Sequence, residues 1–73
     1  MLRVRVVPQG RLARHSRLSA EGIDVTMPAG CRVRDVVSQV GLFDEEIKRV
    51  VVNGRPARLD KAVRRNDLIE LHG

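Results

Sequence analysis

The run Arg49-Val50-Val51-Val52-Asn53-Gly54 constrains the fold more than any other stretch of this chain. Three consecutive valines favour a strand that packs its side chains on a sheet. Asn-Gly is the pair that type I′ hairpin turns prefer, because both residues tolerate positive φ. The stretch therefore predicts an inner strand over 49–52, a tight turn, and a short return over 55–57.

The other elements follow from hydrophobic periodicity. Leu2, Val4 and Val6 alternate with Arg3 and Arg5, and Ile23, Val25 and Met27 alternate with Asp24 and Thr26, the period of half-buried strands. Paired antiparallel, these two strands set Arg3 or Arg5 opposite Asp24 on the outer face. Residues 8–22, rich in glycine, serine and charge, read as a connecting loop with room for a helical turn. Val33, Val36, Val37 and Val40 fall at i, i+3, i+4 and i+7, one apolar helix face. Gly41 suits a left-handed cap with Leu42 folding back on the helix end, and Asp44 is placed to cap a short turn through Glu45 and Glu46. Leu59 and Val63 are expected to plug the bottom of the core across a turn-rich crossing. Asp67–Leu71 predicts a closing strand, with Ile69 and Leu71 inward and Glu70 outward.

Size limits what such a chain can enclose. A domain of 73 residues buries only about 60% of the surface its unfolded form exposes, so a large internal active site is not expected. Tryptophan and tyrosine are absent and phenylalanine occurs once, which leaves valine, leucine and isoleucine to build the core. The compact solution is an α+β domain spanning 1–73: a mixed sheet of four to five strands grasping one helix, with the last strand beside the first. This is the ubiquitin-like β-grasp arrangement. A single cysteine, Cys31, excludes an intramolecular disulfide framework. No apolar run is long enough for a membrane span or a signal peptide, and a cytoplasmic location is the expectation.

The net charge of +5 comes mostly from arginines scattered between Arg3 and Arg65. The pairs Lys48-Arg49 and Arg64-Arg65 are too short to form a basic tail, and aromatic residues for stacking bases are absent. A solvated basic surface is therefore preferred over a nucleic-acid partner.

The sequence supports no catalysis. His15 and His72 lie at opposite ends of the chain, and their spacing with Cys31 or the carboxylates matches no metal site. Cys31 precedes the helix, where the dipole can lower a thiol pKa, yet a small core filler is the preferred reading. Asp44, Glu45 and Glu46 read as a solvated cap rather than an acid–base pair, and Phe43 as a core plug rather than a surface anchor. Gly10 and Gly30 belong to no phosphate-loop pattern. The expectation is a protein that is not an enzyme, with no metal and no cofactor.

Pro28, Gly30, Val33, Asp35 and Val36 together resemble the "P-x-G-x-x-V-x-D-hydrophobic" approach to the helix found in the small sulfur-carrier proteins of thiamine and molybdopterin biosynthesis. Val52-Asn53-Gly54 resembles their "V-N-G" hairpin, and the opening "LRVRVVPQGRLAR" their first strand. The resemblance spans essentially the whole chain. It implies that a partner adenylates the terminal carboxylate at Gly73 and converts it to a thiocarboxylate, with Leu71 and His72 lying in the partner's channel. The implied partners are an adenylating, E1-like enzyme and a sulfur-accepting enzyme. Two departures stand out: Asn66 replaces the glycine usual before Asp67, and the chain ends Leu71-His72-Gly73 where those carriers end in Gly-Gly. The alternative is a binding or adapter module on the same fold without C-terminal chemistry. An S4-like RNA-binding module ranks below that, because it begins with two helices where this chain has two alternating strands.

Overall fold

The computed structural model describes residues 1–15 and 18–73; residues 16 and 17, within the stretch read as a loop, and the His15 side chain lie outside the described residues. In chain order the elements are β1 (Leu2–Gln9), α1 (Arg11–His15), β2 (Ile23–Met27), α2 (Val33–Gln39), a 3₁₀ turn (Asp44–Glu46), β3 (Arg49–Val52), β4 (Arg55–Ala57) and β5 (Leu68–His72). The strands form one mixed sheet in the order β2-β1-β5-β3-β4. β5 thus sits at the centre, parallel to β1 and antiparallel to β3.

Alternation sets the inner face. Val4, Val6, Val25, Met27, Val50, Val52, Ile69 and Leu71 share one core with Val33, Val36 and Val37 of α2. Every valine of the predicted helix face is used, although Val40, just past the helix, is only half-buried. Valine has a low helix propensity, so the burial of this face, rather than the local sequence, holds α2. Its ends are satisfied explicitly. Asp35 reaches back to accept the Arg32 N–H at 2.8 Å. The Val33 and Arg34 N–H groups donate to the carbonyls of Lys61 and Leu59 at 3.0 and 2.9 Å, which stitches the 58–63 crossing to the start of α2. At the other end Gly41 and Leu42 donate to Ser38 and Val37, both at 3.0 Å, the paired bonds of a Schellman cap.

The hairpin forms as its sequence dictates: Asn53 and Gly54 take φ of 52° and 83°, and β3 and β4 pair from Val52↔Arg55 to Val50↔Ala57. Arg5 lies opposite Asp24, and their side chains meet at 3.2 Å. This exposed pair contributes only tenths of a kcal/mol.

Four details differ from the sequence reading. The loop begins later, because β1 continues through Pro8 and Gln9 and is followed by the one-turn α1, whose Leu12 is buried. β2 stops pairing at Val6, so β1 is an open edge on that side and the missing Pro8 N–H costs no ladder bond there. Phe43 is not a core plug: it is 71% exposed, because Leu42 makes the fold-back contact in its place. The 3₁₀ turn is capped by the Glu46 carboxylate, which accepts the Phe43 N–H at 2.8 Å, and not by Asp44. β5 also runs one residue further than expected, through His72.

Candidate functional site

The last residues are held by the middle of the sheet. Ile69 and Leu71 are fully buried, the inward positions that the alternation predicts. His72 is paired on both sides, with Gln9 of β1 and with Arg49 of β3. Its carbonyl accepts the Lys48 N–H at 2.8 Å. The imidazole Nε2 is buried and has no hydrogen-bond partner among the described residues, lying 3.7 Å from Glu70 Oε1. That separation exceeds hydrogen-bonding distance.

Gly73 follows the strand, half-buried. It opens on a cleft of about 290 Å³ lined by Arg11 and Leu12 of α1, Glu45 and Glu46 of the 3₁₀ turn, and Lys48. A Cβ at position 73 would lie 2.8 Å from Leu12 Cγ and 3.3 Å from the Leu12 backbone nitrogen. Close approach to α1 therefore favours a glycine here, in addition to any chemistry at its carboxylate. The resemblance implied a channel segment of Leu71, His72 and Gly73. In this structure Leu71 is a core residue and His72 a strand residue, so only Gly73 stands outside the sheet.

A second polar constellation was not singled out from the sequence. Asp67 is 7% exposed, the one buried acid among the described residues. Its two carboxylate oxygens accept the Asn53 side-chain amide and the Arg64 N–H, both at 2.8 Å. Asn53 in turn accepts the Leu68 N–H through Oδ1 at 2.8 Å and donates its own N–H to the Leu68 carbonyl at 2.8 Å. The 64–67 turn, the β3–β4 hairpin and the start of β5 are thereby tied at one point. Asn66 sits at φ 67°, the left-handed conformation that asparagine supports best after glycine. The sequence signal was the Asn66-Asp67 pair before a strand, which marks a turn but not its partner.

Cys31 is buried in the core. Burial, and after it the Asp35 carboxylate, push its thiol above the ordinary value, outweighing the lowering from a backbone hydrogen bond. The helix start does not activate it, and Cys31 is the small filler that the sequence suggested. Among the described residues no group of three or more His, Cys, Asp or Glu side chains gathers as metal ligands. Among those residues, too, no helix is long and apolar enough to cross a membrane.

A central β5 parallel to β1, a β1–β2 hairpin, and one helix crossing the inner face define a ubiquitin-like β-grasp domain. The solved structures similar to it are small proteins of that kind. A protein described as molybdopterin converting factor subunit 1 from Pyrococcus furiosus matches with a TM-score of 0.79 and 21% identity, over 99% of this chain and 97% of that one. Small archaeal modifier protein 1 from Haloferax volcanii matches in one structure with a TM-score of 0.77 and 18% identity, over 99% of this chain and 97% of that one. A second structure of that modifier gives 0.72 and 19%, over 94% and 91%. No family model matches the sequence, and no curated protein matches it. At these identities the likeness establishes a shared fold along nearly the whole chain. The neighbours match the kind of protein to which the sequence motifs pointed.

Proposed function

We propose that this protein is a small sulfur carrier whose Gly73 carboxylate is the reacting group. In the proposed cycle a carboxylate oxygen of Gly73 attacks the α-phosphorus of ATP on an adenylating partner and releases pyrophosphate. Hydrosulfide then attacks the acyl carbon, AMP leaves with the bonding electron pair, and the proton passes to solvent. The product is a Gly73 thiocarboxylate, which a sulfur-accepting enzyme consumes in cofactor biosynthesis of the molybdopterin, tungstopterin or thiamine type. The carrier supplies no catalytic side chain. The dependence on ATP and reduced sulfur suits a cytoplasmic setting.

The observation that carries this reading is a glycine placed directly beyond the central strand of a β-grasp body, in a chain that superposes over nearly its whole length on a molybdopterin converting factor subunit. Entry into a partner's channel then requires His72 to leave its two ladders while Leu71 stays as the anchor. Mass spectrometry of the C-terminal peptide, from cells that retain the neighbouring genes, tests the proposal. The expected species are the adenylate and a form in which one oxygen is exchanged for sulfur. If neither occurs, and deletion of Gly73 leaves the pathway intact, the proposal fails.

One observation favours a second reading, a binding or adapter module without C-terminal chemistry. The seat of Gly73 against Leu12 gives the glycine a purely structural reason. In that case Gly73→Ala lowers stability and changes no modification.

A further inference from the structure

The sequence argued against a nucleic-acid partner on the scatter of its basic residues, the shortness of its basic pairs and the lack of aromatic residues, and the fold removes the first of these grounds. The segment 55–66 contains Arg55, Arg58, Lys61, Arg64 and Arg65 against the single acid Asp60, and all six side chains are exposed. Three of the cations, Arg55, Lys61 and Arg64, come together around one groove of about 440 Å³ at the hairpin end of the sheet, with Val52 and Pro56 between them. This end carries the start of β5 and is opposite the end that carries Gly73.

The groove is built rather than incidental. Asn53 and Asp67 also line it, and their hydrogen bonds fix the hairpin and the 64–67 turn relative to one another. The Lys61 carbonyl is bound to the first turn of α2, which fixes the backbone that carries the third cation. Asp67 lines the groove too, and its carboxylate, held by two neutral internal donors, offsets one of the three cations, so the lining keeps an excess of two positive charges. Among the described residues the one ion pair made by an arginine or lysine is Arg5–Asp24, so Arg55, Lys61 and Arg64 line the groove without a direct salt bridge. Three cations gathered on one rim above a single internal carboxylate leave a positive field that attracts an external anion.

We infer that this groove binds the phosphodiester backbone of a nucleic acid. A protein partner is disfavoured by the composition of the surface. Protein interfaces centre on apolar and aromatic anchors and are depleted of charge at their core. Here Val52 and Pro56 are the only apolar lining residues, and the rim is cationic. A polar and strongly positive surface is the character of nucleic-acid interfaces. The chain holds one aromatic residue, Phe43, which lies outside the groove. Bases are therefore not stacked, and contacts to phosphate carry the binding without reading sequence. The inference is independent of any chemistry at Gly73.

The test is a fluorescence-anisotropy titration of the full chain with a labelled single-stranded RNA of mixed sequence. With three phosphates neutralised, at a slope of about −0.7 per phosphate, affinity falls about 20-fold between 50 and 200 mM salt. The variant Arg55→Gln/Lys61→Gln/Arg64→Gln is expected to lose at least tenfold in affinity at the lower salt and most of the salt dependence. The three side chains are exposed and make no hydrogen bond among the described residues, so its melting temperature should match the parent. The control, Arg11→Gln/Arg14→Gln/Arg49→Gln, removes the same charge at the other end and should bind within twofold of the parent. Equal loss in both variants overturns the inference, because binding then follows net charge alone. Failure of the parent to bind RNA at the lower salt overturns it too. Competition by polyglutamate as effective as by RNA assigns the groove to an acidic protein segment and likewise overturns it.

Discussion

Replacing Asp67 with alanine removes a carboxylate that joins three parts of the chain, and the cost can be worked from its bonds. Asp67 accepts two hydrogen bonds at 2.8 Å while almost wholly buried. A hydrogen bond to a charged group contributes about 1.5–3 kcal/mol, so their loss alone amounts to about 3–6 kcal/mol. The Asn53 amide and the Arg64 N–H lie on exposed residues and regain water, which reduces the net cost to about 2–3 kcal/mol. A domain of this size is stable by about 4–11 kcal/mol, so about a fifth or more of the margin disappears. At about 4–8 °C per kcal/mol, the melting temperature should fall by about 10–20 °C. Asp67→Asn keeps one acceptor and should lie between alanine and the parent. The assay is thermal and urea denaturation followed by circular dichroism, extended to a double-mutant cycle with Asn53→Gly, a partner change that still permits the positive φ. Coupling of about 1–2 kcal/mol is expected for residues in one network. A shift below about 4 °C for Asp67→Ala, or strict additivity with Asn53→Gly, would refute the assignment of this network as the clasp of the hairpin end.

Gly22 sits at φ 96°, and a Cβ there would meet the Val6 carbonyl oxygen at 2.8 Å; Gly22→Ala should cost about 2–4 kcal/mol in urea denaturation, combining backbone strain and overpacking. Phe43→Ser should leave the melting temperature within about 4 °C, since a surface substitution away from the core stays within about 0.5 kcal/mol. The Cys31 thiol should resist a disulfide reagent in the native protein and react on unfolding. Its raised pKa favours the folded state fully below the unfolded thiol value, and that contribution is lost as pH rises through the folded one. The stability gap between the parent and Cys31→Ala, measured by urea denaturation, should therefore narrow between pH 7 and pH 10. Gly73→Ala should destabilise by about 1 kcal/mol through the Leu12 contact, a shift that Leu12→Ala, itself costly, should abolish in a double-mutant cycle.

Much of the architecture was legible because it rests on short-range rules. Alternation placed Val4, Val6, Ile69 and Leu71 inward, helical spacing placed Val33, Val36 and Val37, and Asn53-Gly54 fixed the hairpin. What failed depended on neighbours distant in sequence. Pro8 looked like the end of a strand, and its tolerance follows from where β2 stops. Phe43 looked like core, and it is Leu42 that packs against the core behind α2 while Phe43 is exposed. The candidate sites divide in the same way. The glycine at position 73 was visible, but its seat on Leu12, some sixty residues earlier in the chain, was not. Nor was the convergence of Arg55, Lys61 and Arg64, since residues 55 and 64 are brought together by the Asn53–Asp67 and Asn53–Leu68 bonds and the β3–β5 pairing.

The central position of β5 also sets the order in which the domain can assemble. Without residues 68–72, β1–β2 and β3–β4 are two hairpins with no strand between them, and an isolated hairpin is at best marginally stable in water. β5 supplies every ladder bond that joins the two halves, and Ile69 and Leu71 complete the core. Because these contacts span most of the sequence, loop closure precedes the gain in packing, and folding is slow for so small a domain. During synthesis from the N-terminus, the domain cannot complete its sheet until its last strand has left the ribosome.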